Sequence, residues 1–356
     1  MTRGQRRLGG PTTVHRATLR EVAERAGVHP ATASRALNAA TESMVNAATA
    51  ARIQKVAKEL GYSPNPIARS LKTSRSTSIG LVIPDLTNPL FPPIVRGVED
   101  VLRPAGYNAW IVNTDSQNDI EEAAVVSLRQ RNVEGFVFAT ALLEHPLLEE
   151  LAQSSAPVVL VNRSTSSVDI PSVTPDDAAG IALGVQHLID LGHRHIVHLA
   201  GPQDTSTGAT RRKAFRQALE DHDLPHDADR IHLCDTWSEE AGALGMRTLL
   251  DSDIPFTAVF AGNDQLALGA LDALAERGLT CPADVSVVGF NDIPFIDKVD
   301  PPMTTIRIPH VEIGAEAARM LLEQLDDPTR HPRSMLLPVK LVVRGSTGPA
   351  NPARTA

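Results

Sequence analysis

Arg35 is the residue of this chain that most plainly invites a chemical reading. It stands in AGVHPATASRALN (residues 26–38) beside Thr32, Ser34 and Asn38, on a run of helix formers opened by Pro30. A planar guanidinium there can pair with O6 and N7 of guanine. Pro30 and Ala31 carry no side-chain donor and could make only apolar contact, for instance with a thymine methyl. A second candidate, GHRHIVH, holds His193, His195 and His198. On a strand, residues three apart face opposite sides, so His195 and His198 diverge, and His193 falls in the preceding turn. No metal site is expected from them. Patterns for a phosphate loop, a dinucleotide fold, a zinc protease or a nucleophile elbow are absent from the sequence, so neither a catalytic constellation nor a cofactor is expected.

The elements that would position Arg35 follow from periodicity. Thr18 is a natural cap for a helix with Leu19, Val22, Ala23 and Ala26 on one face, and Gly27 ends it. Pro30 suits the first turn of a second helix, with His29 as a weak cap. That helix should bury Val28, Ala33 and Leu37 and expose Ala31, Thr32, Ser34, Arg35 and Asn38. A third, about Ala47 to Leu60, presents Ile53, Val56, Ala57 and Leu60. Two short helices joined by a glycine turn form a helix-turn-helix, whose second helix enters the major groove.

Charge supports this reading. Residues 1–75 hold 13 basic and four acidic side chains, a net +9, so the remainder carries −17 of the overall −8. A basic head on an acidic body is the footprint of a nucleic-acid-binding domain on a carrier. The basic N-terminus lacks the apolar stretch of a secretory signal, and no apolar run reaches the roughly 18–20 residues that span a bilayer. Cys234 and Cys281, without CxxC spacing, suit a reduced compartment. A cytoplasmic protein is expected.

Beyond residue 62, YSPNPIARSLKTSRSTS has linker composition, yet NPIARSLK could form a short helix capped by Asn65. Alone in water so short a helix is unstable. From Ile79 on, IGLVIP, AWIVN, GFVFA, PVVLVN, HIVHLAG, TAVFAG and VSVVGF alternate with helical patterns, which reads as parallel α/β sheets. Ligands in such folds sit at the carboxyl ends of the strands.

The head and hinge sequences, with HLIDLGHRHIVHLAGP, AVFAGNDQLALGAL, VSVVGFNDIPF, PPMTTIRIP and LVVRGST in that order, resemble the LacI/GalR family of bacterial transcription regulators over about Thr18 to Thr347. Departures are Ala33 and Ala36, where the family more often has valine, and a slightly longer segment from Asn38 to Val45. The resemblance implies DNA contacts by Thr18, Leu19, His29, Pro30, Ala31, Thr32, Ser34, Arg35, Asn38 and Tyr62, and by a hinge helix in the minor groove. There Leu71 would wedge a base step, flanked by Asn65 and Ala68; a plain tether with Leu71 as packing is the alternative. It also implies a body of two periplasmic-binding-protein-like lobes with crossovers near Thr174, Pro309 and Met335. Between them a ligand would meet Asn88, Phe91, Asn162, Arg211, Trp237, Asn263 and Asn291. Trp237 offers a flat face for a sugar ring or base and Arg211 a fixed fork. Relatives that bind sugars often have acids at the places of Asn162 and Asn291, so Arg211 would face no carboxylate here, which favours a sugar acid or sugar phosphate. Asn263 and Asp264 could instead only cap the next helix, and Trp237 could be plain core.

The expected organisation is a flexible basic tail (1–16), an all-α helix-turn-helix head (17–62), a hinge (63–77), a two-lobed body (78–345) and a tail (346–356). Lobe 1 is expected over about 78–174 and 309–334, and lobe 2 over 175–308 and 335–345. The expected function is a ligand-responsive repressor, bound as a homodimer to a near-palindromic operator. An activator, a regulator that needs a nucleoside or purine corepressor, and a non-regulatory sugar-binding protein are the alternatives.

Overall fold

Each described α-helix of the N-terminal region starts at a side chain that accepts a free amide. In this computed structural model, which describes residues 17–38, 41–63, 75–154, 156–329 and 333–351, the chain divides into two units, Met1–Ser76 and Thr77–Ala356. The basic tail and the hinge residues Asn65, Ala68 and Leu71 lie outside the described residues. Helix α1 (Leu19–Ala26) opens with a capping box: Glu21 N–H donates to Thr18 Oγ1 (3.3 Å) and Thr18 N–H to Glu21 Oε2 (2.6 Å). It closes at Gly27, whose φ of 64° suits glycine. In α2 (Pro30–Ala36), His29 Nδ1 accepts from Ala31 N–H at 3.2 Å. Asn46 caps α3 (Ala47–Glu59) through Ala48 N–H. The buried core among the described residues is Val22, Ala23, Ala26, Ala33, Ala36, Ala50, Ile53 and Ala57. Six of these eight are alanines, so Val22 and Ile53 supply most of the buried apolar area. Val28 and Leu37, expected inside, are half-buried at its rim.

The second unit has two six-stranded sheets. The first runs β11-β5-β4-β3-β1-β2, from β1 (Ser78–Ile83), β2 (Asn108–Asn113), β3 (Gly135–Phe138), β4 (Val158–Val161), β5 (Ser172–Pro175) and β11 (Ser334–Leu337). All its pairings are parallel. The second runs β12-β10-β9-β8-β6-β7, from β6 (Ile196–Ala200), β7 (Ile231–Leu233), β8 (Ala258–Ala261), β9 (Ser286–Asn291), β10 (Thr304–Arg307) and β12 (Lys340–Val342). Here β12 is antiparallel to β10, a departure from the wholly parallel sheets expected. The cause is topological. Strands of both sheets end toward the gap between the lobes. A chain that leaves β11 and continues straight across therefore enters the second sheet at that edge and runs against β10.

The crossing also corrects a boundary. Because β11 pairs along its whole length with β5, the third crossover falls at Pro338–Val339 and not near Met335. The other two lie where β5 runs into α7 (Asp177–Asp190) and where β10 runs into α11 (His310–Asp326). Helix α4 (Phe91–Leu102), which follows β1, packs tightly on α11. A Cβ on Gly97 would stand 2.0 Å from Val311 O, and one on Gly314 2.0 Å from Ile94 O. Only glycine permits that approach, which fixes the end of α4 facing the gap.

Candidate functional site

The loops at the carboxyl ends of strands from both sheets converge on one cleft. It is lined by Asn88, Leu90, Phe91, Asn162 and Arg163 from lobe 1, and by Thr207, Arg211, Trp237, Asn263 and Asn291 from lobe 2. All seven residues anticipated from the sequence are among them. Asn88 follows β1, and its Oδ1 accepts from Leu90 N–H (3.0 Å), so the turn presents Phe91 at the start of α4. Asn162 follows β4 directly at a φ of 63°, a conformation that asparagine tolerates better than most residues; its Oδ1 has no partner. Thr205 caps α8 (Ser206–Glu220), which carries Thr207 and Arg211. Asn263 caps α10 (Asp264–Glu276) through Leu266 N–H (2.8 Å), so the capping alternative and the cleft position both hold. Asn291 ends β9 at a φ of 115°. The free space between these side chains is only about 20 Å³, room for about one water molecule. Two hydrogen bonds close the mouth, Leu143 N–H to Asp204 O (2.7 Å) and Ser164 N–H to Ser206 Oγ (2.9 Å). A sugar-sized ligand would enter only with the lobes parted.

Arg211 anchors the floor, and the structure corrects the role expected for it. Its guanidinium is buried over the Phe290 ring at 3.7 Å and lies 5.7 Å from the Trp237 ring. Asp177, in the first turn of α7, takes Nε–H at 2.8 Å and Nη2–H at 2.7 Å. Gly262 O takes Nη1–H at 2.7 Å, and Asn291 Oδ1 lies 3.5 Å from Nη2. The fork is thus largely occupied, and a carboxylate from outside the cleft already neutralises it. Burial pushes the Asp177 carboxyl above its usual range even beside Arg211. Trp237 lies over two glycines: a Cβ on Gly201 would be 2.1 Å from the indole. The ring is half-buried, not plain core.

Further buried titratable groups lie in both lobes. Glu121 is buried, accepts from Thr140 Oγ1 (2.6 Å) and lies 3.6 Å from His145 Nε2. Burial raises its carboxyl and lowers the His145 imidazole. Burial also lowers the Arg163 guanidinium to about 10. Asp264 is fully buried, accepts from Thr305 Oγ1 (2.5 Å) and Ile293 N–H (2.9 Å), and is pushed up by burial to about 7. The three histidines of GHRHIVH are dispersed. His193 binds Thr257 and Ser286, and His198 Nδ1 binds Phe260 O at 2.7 Å.

In the head, one face of α2 exposes Ala31 and Arg35, with His29 and Pro30 exposed at its start. Thr32, Ser34 and Asn38, expected on the surface, are half-buried on that face. Thr18 is exposed, while Leu19 and Tyr62 pack half-buried against the core.

Residues 18–65 match the family described as bacterial regulatory proteins, lacI family, and residues 185–347 match a periplasmic binding protein-like domain. The HTH-type transcriptional repressor CytR of Escherichia coli (strain K12) is 34% identical over 331 residues, 93% of this chain and 96% of CytR. This chain belongs to the LacI family. Among solved structures, the lac repressor dimer bound to operator and the anti-inducer ONPF matches with a TM-score of 0.84 and 30% identity, over 94% of this chain and 100% of that one. A LacI family regulator from Enterococcus faecium with bound ribose matches at 0.68 and 32% identity, over 77% and 100%. As a LacI-family member the chain is a transcriptional regulator with a DNA-binding head and a ligand-binding body, and these relatives are regulators rather than enzymes.

Three cleft residues of this LacI-family chain escaped the sequence reading: Leu90, Arg163 and Thr207. Arg163 follows Asn162 directly, so its place in the same strand-end loop was available as a signal. Thr207, in the first turn of the helix that bears Arg211, had the same signal. Leu90 had none, since an apolar residue after a strand reads as core. No described helix is long and apolar enough to cross a membrane.

Proposed function

We propose that this protein is a cytoplasmic, ligand-responsive repressor that binds a near-palindromic operator as a homodimer and takes a sugar or sugar derivative in its cleft. The observation that carries the reading is the convergence of polar side chains and one half-exposed indole from both lobes on a single cleft, in a chain headed by a capped helix-turn-helix. Ligands that hold two lobes together bias lobe closure, and closure at the crossovers can act on the hinge. Residues 17–62 serve as head, 63–77 as hinge and 78–345 as body. Arg35 reads guanine, with Ala31 and the polar face of α2 beside it. Thr18 and Tyr62 position the head on the DNA backbone, and Asn65, Ala68 and Leu71 form the minor-groove hinge. Leu86, Trp110 and Ile111, large apolar side chains exposed at the free edge of the first sheet, support pairing with a second copy there.

The test is selection of DNA from a random pool by the full-length protein. The expected product is a near-palindrome whose half-sites carry a guanine that Arg35→Ala ceases to prefer, bound by a dimer in sedimentation. Enrichment of no sequence, or an Arg35→Ala protein that selects the same site with uniformly weaker binding, would contradict the base-reading role.

A further inference from the structure

Arg163 is the cleft residue whose electrostatic needs the protein leaves unmet. Its side chain lines the cleft and is 8% exposed. Its Nε–H has no hydrogen-bond partner, and among the described residues the guanidinium forms no ion pair. Arg211 differs, because Asp177 and Gly262 occupy it. Asp204 and Glu121 attract Arg163 through space without pairing with it, and Arg211 repels it. No carboxylate lines the cleft. The next residue toward the N-terminus, Asn162, also holds an Oδ1 without a partner. A guanidinium presents five donors in a plane that matches a carboxylate or a phosphate. Buried charges are ordinarily paired, so one aimed into a cleft unpaired marks the place of an acceptor brought from outside.

We propose that Arg163 reads an anionic group on the effector, so that the cleft takes a carboxylate- or phosphate-bearing sugar derivative in preference to its neutral parent. This rests on the cleft being the effector site. The rest of the ligand follows from the lining. The Trp237 face covers the apolar side of the ring, and the amides of Asn88, Asn162, Asn263 and Asn291 meet hydroxyls. The anionic group lies at the lobe 1 wall beside Asn162, away from the Arg211–Asp177 pair. Because Arg163 and Thr207 approach from opposite lobes, an anion between them favours the closed arrangement.

The experiment is calorimetric and thermal-shift titration of the full-length protein with matched probes: glucose, gluconate, glucuronate and glucose 6-phosphate, then ribose and ribose 5-phosphate. Wild type, Arg163→Gln, Arg163→Lys and Trp237→Leu are compared. At least one acidic probe should bind wild type roughly 10- to 100-fold more tightly than its neutral parent. Arg163→Gln should erase that ratio, so that acid and neutral parent bind it alike, and Arg163→Lys should keep part of it because the charge remains without the fork. Trp237→Leu should weaken acidic and neutral probes alike. Without any probe, Arg163→Gln should melt no lower than wild type, since it removes an unpaired buried charge; a clear fall would mean that the guanidinium is satisfied within the protein, and would overturn the proposal. So would a neutral parent that binds as well as its acid, an acid preference that survives Arg163→Gln, or a wild type that binds none of the acidic probes. An acidic probe that binds unaffected by Trp237→Leu would instead overturn the placement of the effector in this cleft.

Discussion

Replacing Asp177 by asparagine should destabilise the body far more than a one-atom change in the side chain suggests. Asp177 and Arg211 are 7% and 2% exposed, and Asp177 Oδ1 accepts from both Nε and Nη2 within 2.8 Å. Removing one partner of a buried pair typically costs about 3–5 kcal/mol, because the other charge stays uncompensated in a medium that solvates it poorly. Asparagine keeps one acceptor oxygen, so the lower end, about 3 kcal/mol, applies. One kcal/mol moves the midpoint of a domain of this size by about 2–4 °C, so a fall of roughly 6–12 °C is expected. Thermal melting by tryptophan fluorescence is the assay, since both tryptophans, Trp110 and Trp237, belong to the body. The partner variant Arg211→Met should cost a similar amount. The double variant should cost much less than the sum, because a buried pair exchanged for apolar groups is often nearly neutral. A single Asp177→Asn that melts with wild type, or costs that simply add, would show that the pair is not held out of solvent as described.

In the head, Ile53→Ala should abolish DNA binding and leave ligand binding by the body intact; the roughly 2–5 kcal/mol of such a truncation is a large share of the stability of so small an alanine-rich core. Operator titration beside calorimetry on the same protein checks this. Gly201→Ala should weaken ligand binding at least about tenfold by driving the Trp237 ring from its seat, with DNA affinity in the absence of ligand unchanged; an unaltered ligand affinity would mean that the indole is not the stacking face. For pH, burial lowers His198 to about 4, below the ordinary histidine value near 6.5. The unfolded chain therefore takes up a proton first as pH falls, and stability is lost between about pH 6.5 and 4, up to about 3 kcal/mol. His198→Leu lacks that loss, so its melting temperature relative to wild type should rise between pH 7 and 4.5. His310 and Asp264 also titrate abnormally but are common to both proteins. A difference that is flat with pH would refute the buried, neutral His198.

How far the fold could be read in advance depended on burial. β1, β3, β4, β6, β8 and β9 are flanked on both faces and read as apolar runs such as GFVF and AVFA. The elements not foreseen were β5 (SVTP), β7 (IHL), β10 (TTIR), β11 (SMLL) and β12 (KLV). They are short and mixed, and most lie toward a sheet edge, where the hydrophobic signal fades. The antiparallel β12 follows from how the chain crosses between lobes, which no local pattern encodes. In the cleft, Trp237 and the asparagines were legible through the family resemblance, which assigned them to strand-end loops of an architecture that binds ligands there. The state of Arg211 was not. Asp177 reads as an ordinary first-turn acid of a helix, and only the chain's return from lobe 1 brings it to a guanidinium 34 residues later. For Arg163 the sequence shows only a charged residue in a strand-end loop, and its burial with an Nε that lacks a partner is a property of the fold.

If the cleft governs the head, as proposed, ligand and DNA affinities are linked reciprocally. The most direct measurement is titration of a selected operator with full-length wild type and Trp237→Leu, each with and without a cleft ligand identified by thermal shift, at one fixed salt concentration because salt alone shifts such affinities. The ligand should shift wild-type operator affinity by about 5- to 150-fold, and operator DNA should shift ligand affinity by the same factor. Trp237→Leu should lose the shift at moderate ligand concentration. A ligand that binds in the cleft yet leaves operator affinity unchanged in wild type would contradict this coupling.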